Sequence, residues 1–274
     1  MSIITISHEA FGGGRPLGEK VASILDHRCI SREVLLEASR RYGIPQAKFS
    51  EVLETEPHWW KRWLESLRLY RITLQAGMCE IAQGGNLVYH GYGGQELFPG
   101  IRHVLKVFLA APMEYRIRLV KAQKGLDEEA AREYLNHSDR VRARRLKAIF
   151  GVDWRDPARY DLVLNFSRMS FETAAHLVVE AVQRGEYQPT EESRQAFEDL
   201  TVTSRVQAAL ITSQSTRNLN LNVKAEKGQV SVWGTVDEAA LEQEIIRIVK
   251  AVPGVTQVSA DIRWLPIDYT YTYP

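Results

Sequence analysis

Short apolar runs alternate with longer segments of helical period along the first part of the chain. Ile3 to Ser7 is brief and β-branched, the pattern of a buried strand. Phe11-Gly12-Gly13-Gly14-Arg15-Pro16 interrupts it, and a helical pattern follows through Leu17, Val21, Ile24 and Leu25. Pro16 suits a first helical position, where a missing N–H costs nothing. Helical stretches are predicted over 32–42 and about 58–83, the second with Trp60, Trp63, Leu64, Leu67 and Leu74 at helical spacing. Residues 87–90 and 104–109 read as buried strands. Pro112 opens a helix carrying Tyr115, Ile117, Leu119 and Val120, and a charged helix spans about 127–150. A strand at 161–165 and a helix at 171–184 close the series. Strands alternating with helices predict an α/β domain, a parallel sheet covered by helices on both faces.

The pattern changes near residue 185. Residues 186–193 are polar and turn-prone and read as a linker. Beyond them come a helix (about 193–212), strands at 220–225 and 229–235, a helix at 239–249 and a strand at 255–264. Glu226-Lys227-Gly228 is a hairpin signal, and Val223, Val230, Val232 and Val236 give the period-two apolar positions. The predicted organisation is a first domain at 1–185, a small α+β unit of order αββαβ at 194–265, and a Tyr-rich tail at 266–274.

Composition narrows the function classes. The 274 residues are 45% hydrophobic and 25% charged, enough apolar material for a core. A net charge of +1 argues against general attraction to nucleic acid or to an anionic membrane, so any basic site is local. No run approaches the roughly 18 apolar residues of a membrane span. The first residues lack the basic and long apolar regions of a secretory signal, and a cytoplasmic location is expected. Cys29 and Cys79 imply no disulfide framework and are both expected to be buried.

The glycine run carries the candidate chemistry. A helix N-terminus offers unpaired N–H groups and partial positive charge, and glycines let backbone approach phosphate oxygens. A tight turn that merely uses glycine is the other reading of the loop alone. Set against G-x-x-x-x-G-K-[ST], Gly14 takes the second glycine, Glu9 the first, Arg15 the lysine and Pro16 the Mg²⁺-binding hydroxyl position. Arginine pairs with phosphate through its fork, whereas proline ligates no metal.

ITISHEAFGGGRPLGEKVASIL resembles the opening of the cytidylate-kinase-like family, whose loop has the form GSGGR-x-[IL]-G. HVLKVFLAAPMEYRIRLVKAQKGLDEEAAREYL is similar to that family's strand and "AP-x-EYRI" helix. GVDWRDPARYDLVLNFSRMSFETAAHLV resembles its "G-x-D-W-x-D-P-x-x-YDL" block. The resemblance implies a P-loop nucleoside monophosphate kinase fold, a nucleotide ligand, and ATP with Mg²⁺ if the chain is active. It implies that Gly12, Gly13, Gly14 and Arg15 hold donor phosphates. It also implies a lid helix of arginines, matching Asp139 to Lys147, in which Arg140, Arg142 and Arg144 neutralise transferring phosphate. At helical spacing Arg140, Arg144 and Lys147 share one face, which on charge alone also reads as a solvated surface. No metal-ligating protein group stands out; Glu9 is the nearest carboxylate and is expected to be exposed. Relatives carry Asp-Arg/Lys-Glu and Gly-Arg where this chain has Ser31-Arg32-Glu33 and Gly91-Tyr92, places implied to hold an acceptor nucleotide.

His90 is expected to be a hydrogen-bonded structural residue, and His58, Trp59, Trp60 and Trp63 to pack a helix. Asp153-Trp154 and Asp156-Pro157 are expected to shape the return from the lid. VKAEKGQVSVWGTVDEAALEQEIIRIVKAVPGVTQVSADI resembles the BON domain, with Gly234 and Pro253-Gly254-Val255 at its turns. The resemblance implies a protein partner, a small ligand or a membrane; charge does not support the membrane. A nucleotide kinase and a non-catalytic sensor acting through the BON unit are the two functions expected.

Overall fold

The computed structural model describes residues 2–47, 60–236, 238 and 240–264, without the side chains of residues 60–64. Residues 58 and 59, the tail from 265 onward, and the side chains of Trp60 and Trp63 therefore lie outside the described residues.

Five parallel strands form the first sheet: β1 (Ile3–His8), β2 (Arg28–Ile30), β3 (Leu87–His90), β4 (Val104–Ala110) and β5 (Leu162–Asn165), in the order β2-β3-β1-β4-β5. Alternation along β1 sends Ile3 to one face and Ile4 and Ile6 to the other. Ile3 joins a core formed with α2 (Glu33–Tyr42) and α3 (Trp60–Ala82), including Val34, Ala38, Leu74 and Met78. Ile4 and Ile6 join the other core, against Leu17 and Val21 of α1 (Gly14–Leu25) and Ala174 and Val178 of α6 (Phe171–Gln183). Ile3, Ile4 and Ile6 have no exposed surface, and burial of each such side chain contributes about 1.5–3 kcal/mol. Two helices, α4 (Met113–Lys124) and α5 (Glu128–Phe150), connect β4 to β5.

Helix α1 begins at Gly14, so Pro16 lies third in the helix rather than first. It is still within the first turn, where an N–H has no intrahelical acceptor. Strand β2 is absent from the apolar pattern because it has three residues and lies at a sheet edge. That position leaves Cys29 half-buried, contrary to expectation, while Cys79 is buried.

The second sheet contains β6 (Leu221–Glu226), β7 (Gln229–Val236) and β8 (Gln257–Trp264). β6 and β7 are an antiparallel hairpin closed at Lys227 and Gly228, whose φ values of 50° and 79° suit its turn. β8 adds in parallel to β7. Helices α7 (Glu191–Thr212) and α8 (Ala240–Lys250) cover one face through Val202, Val206, Ile245 and Val249. Helix α7 also reaches the first domain, where Phe197 belongs to the core of Ile3 and Leu74.

Candidate functional site

The strand order places β1 between β3 and β4, so the β1–α1 loop opens at the point where connections diverge, the usual ligand position of an open parallel sheet. The Gly12 N–H donates to the Glu9 carbonyl at 2.8 Å, closing the loop. Phe11 and Gly13 have φ of 57° and 81°. Phe11 thus holds a left-handed conformation at the place of the first glycine of GSGGR, with its ring edge-on to Tyr134 of α5. Gly14 has no alternative: a Cβ there would lie 1.9 Å from the His8 ring. The backbone N–H groups of Gly13, Gly14 and Arg15 donate to no backbone acceptor among the described residues. The first turn of α1 has no acidic residue. Such a helix end offers free N–H donors and partial positive charge, the chemistry that suits an anion.

Helix α5 lies over the loop. Its inward face presents Asp139 and Arg142, both buried. The Asp139 Oδ1 accepts from the Ala10 N–H at 3.1 Å, and its Oδ2 accepts from Arg116 at 2.7 Å and Arg155 at 3.0 Å. Glu9 is not the exposed carboxylate expected. Its side chain is 15% exposed and pairs with Arg155 at 3.1 Å and with Arg116 at 3.7 Å, and it accepts from the Ala111 N–H. Arg142 donates to the His8 carbonyl and lies 3.8 Å from the centroid of the Tyr92 ring. Burial pushes the His8 imidazole down to about 4, with the Arg142 charge adding to the effect, so the ring is neutral near pH 7.

Two cavities flank this helix. One of 580 Å³, between α2, α3 and α5, is lined by Arg32, Tyr70, Tyr92, Arg142 and Arg145. Tyr92 thus stands with Arg142 where the implied Gly-Arg pair would place a cation. The other, of 770 Å³, is lined by Glu9, Arg116, Arg140 and Arg155.

Of the predicted residues, Gly14 and Arg142 come together at His8, whereas Gly12 lies against Glu9 and Gly13 against Phe171. Arg15 does not join them: its side chain is 77% exposed and pairs with Glu19 at 2.7 Å. Arg140 is exposed at the rim of the larger cavity, and Arg144 is exposed and lines neither cavity. Sequence reasoning passed over Arg116, Asp139 and Arg155. Arg116 stood inside the quoted EYRI block, and Asp139 three residues before Arg142 on one helical face. His90 is half-buried beside Gly18, and burial lowers its pKa. Trp154 is buried, while the Asp153 and Asp156 carboxylates accept backbone N–H groups of Arg155 and Ala158, as residues that shape a return loop do.

The residues do not make a protein site for Mg²⁺. Glu9 is paired with arginines, Pro16 has no side-chain oxygen, and no cluster of three His, Cys, Asp or Glu occurs among the described residues.

The sheet order, the glycine loop after β1 and the arginine-bearing helix above it define a P-loop kinase-like domain. Residues 3–168 match the cytidylate kinase-like family, and the chain belongs to it. Residues 198–266 match the BON domain. Similar proteins include the cytidylate kinase of Methanopyrus kandleri, 27% identical over 55% of this chain and 76% of that protein. The cytidylate kinase of Ignicoccus hospitalis is 26% identical over 67% of this chain and 98% of that protein. An uncharacterised protein from Eubacterium ventriosum shares the fold, with a TM-score of 0.51 and 16% identity over 66% of this chain and 97% of that one.

Proposed function

We propose that this chain binds ATP at the glycine loop and transfers the γ-phosphoryl group to a nucleoside monophosphate held in the 580 Å³ cavity. The observation that carries the reading is the pairing of an uncommitted helix N-terminus with a cation-lined cavity across one buried arginine, Arg142. The cavity volume falls within the roughly 300–1,000 Å³ of small-molecule sites. In this reading the N–H groups of Gly13, Gly14 and Arg15 hold donor phosphates. Arg142, anchored on the His8 carbonyl and stacked on Tyr92, sits between donor and acceptor and offsets charge on the transferring group. Arg140, at the rim, and Arg144, on the exposed surface, reach phosphate only if the lid shifts, and Arg15 only if its side chain leaves Glu19. A Mg²⁺ ion arriving with ATP would depend on nucleotide oxygens and water, since the described residues around the loop offer it no free carboxylate or hydroxyl set.

A second reading rests on separate observations. Pro16 at the hydroxyl position and the ion-paired Glu9 favour a kinase fold that binds nucleotide without turnover and signals through the BON domain to a protein or small ligand. A coupled assay with ATP and Mg²⁺ across the common nucleoside monophosphates separates the two. ADP release dependent on one monophosphate supports transfer; nucleotide binding without turnover by any of them rejects it in favour of the sensor.

A further inference from the structure

A second cationic cavity lies where the two domains meet, on the opposite side of α3 from the acceptor cavity. Tyr70 and Leu74 of α3 line the 580 Å³ cavity, whereas Arg68 and Arg71 line a separate cavity of 110 Å³. Its other polar walls are Gln207 of α7 and Thr216, Asn220 and Asn222 around the start of β6. None of the described residues lining it is acidic. Arg68 is half-buried and donates to the Leu219 carbonyl at 2.9 Å, which fixes its guanidinium at the cavity wall. Neither arginine forms an ion pair with a carboxylate among the described residues. Burial and the neighbouring Arg71 both act against the charge on Arg68.

Two like charges three residues apart on one helix repel, and no carboxylate among the described residues pairs with them. The volume is well below the roughly 300 Å³ at which small-molecule pockets begin, so a nucleoside does not fit. A single small group does. Guanidinium forks match tetrahedral oxyanions bidentately, and the side-chain amides add neutral donors.

We infer that this seam cavity binds one phosphate group, either inorganic phosphate or the phosphoryl head of a phosphate monoester. The bound group bridges α3 of the kinase-like domain to β6 of the BON domain. It neutralises Arg68 and Arg71, and it rests on the helix whose other side lines the acceptor cavity. The inference is independent of the nucleotide reading.

The test is a titration of the full chain with inorganic phosphate, followed by backbone amide NMR against chloride at matched ionic strength. Saturable shifts at the amides of Leu219 to Asn222 are expected, with affinity at least about tenfold weaker in Arg71→Gln. Arg71 is exposed, so that variant keeps its fold, and unchanged amides elsewhere verify this. Still seam amides, or equal shifts in Arg71→Gln, overturn the inference. Shifts confined to Gly12 to Arg15 also overturn it while leaving the glycine-loop reading intact. Sedimentation with phosphatidylcholine vesicles containing phosphatidic acid then identifies the source. Co-sedimentation lost in Arg71→Gln assigns a lipid headgroup, and seam shifts without co-sedimentation assign soluble phosphate.

Discussion

His8 and Gly14 form the tightest contact of the glycine loop, and each constrains the other. The imidazole occupies the volume a side chain at position 14 would need, while its own carbonyl is taken by Arg142. A neutral, packed ring is the state this arrangement favours, and it has a consequence for pH. The unfolded chain protonates His8 through the ordinary value of 6.5, but the folded chain does so only near 4. Unfolding therefore takes up a proton between these values, and stability falls as pH falls. The His8 contribution is fully present above about pH 6.5 and lost on the way to pH 4, by roughly 2–3 kcal/mol. Urea unfolding across that range should show a steeper loss in the wild type than in His8→Gln. Parallel profiles for the two proteins would remove His8 as the cause.

At the scale of elements, α5 is fastened to the loop by charge as much as by packing. Asp139 links Arg116, Arg155 and the Ala10 N–H, and Arg116 is only 3% exposed. Removing the carboxylate leaves the buried Arg116 only its longer contact with Glu9, at 3.7 Å. Asp139→Ala is expected to cost about 3–5 kcal/mol by chemical denaturation. A loss below about 1 kcal/mol, the range of surface pairs, would show that the network bears no load. Long strands and amphipathic helices were legible in the sequence because their periods are set by one buried face. The glycine loop was legible as a motif, whereas Arg142 was legible only within the lid segment that the family resemblance implies. The three-residue edge strand β2 carries too few positions to show a period, and the Glu9–Arg116–Asp139–Arg155 cluster joins residues from four separate segments. Charge runs along one helix cannot reveal partners from another. The arginine face chosen by spacing, Arg140 and Arg144, proved exposed because α5 turns its Leu135, Asp139, Arg142 and Leu146 side inward.

At the scale of the molecule, α7 serves both domains. Phe197 enters the first core, and Val202 and Val206 enter the second. Ile72 and Ala76 of α3 meet Ala208 and Ile211 of α7 in a further buried cluster, and Arg205 of α7 pairs with Glu80 of α3. One shared helix couples their unfolding, so a single calorimetric transition is expected for the wild type. Ala208→Glu places an unpaired charge in that contact and should split the transition in two; two transitions in the wild type would deny the coupling. No helix among the described residues is long and apolar enough to cross a membrane. Calorimetric titration of the full chain with ATP and Mg²⁺ decides whether the N-terminal loop holds the phosphates of a nucleotide, as proposed. Saturable one-site binding, weakened at least about tenfold in Gly14→Ala where the added Cβ collides with His8, is the predicted result. No saturable binding to the wild type, or equal affinity in the variant, would contradict it.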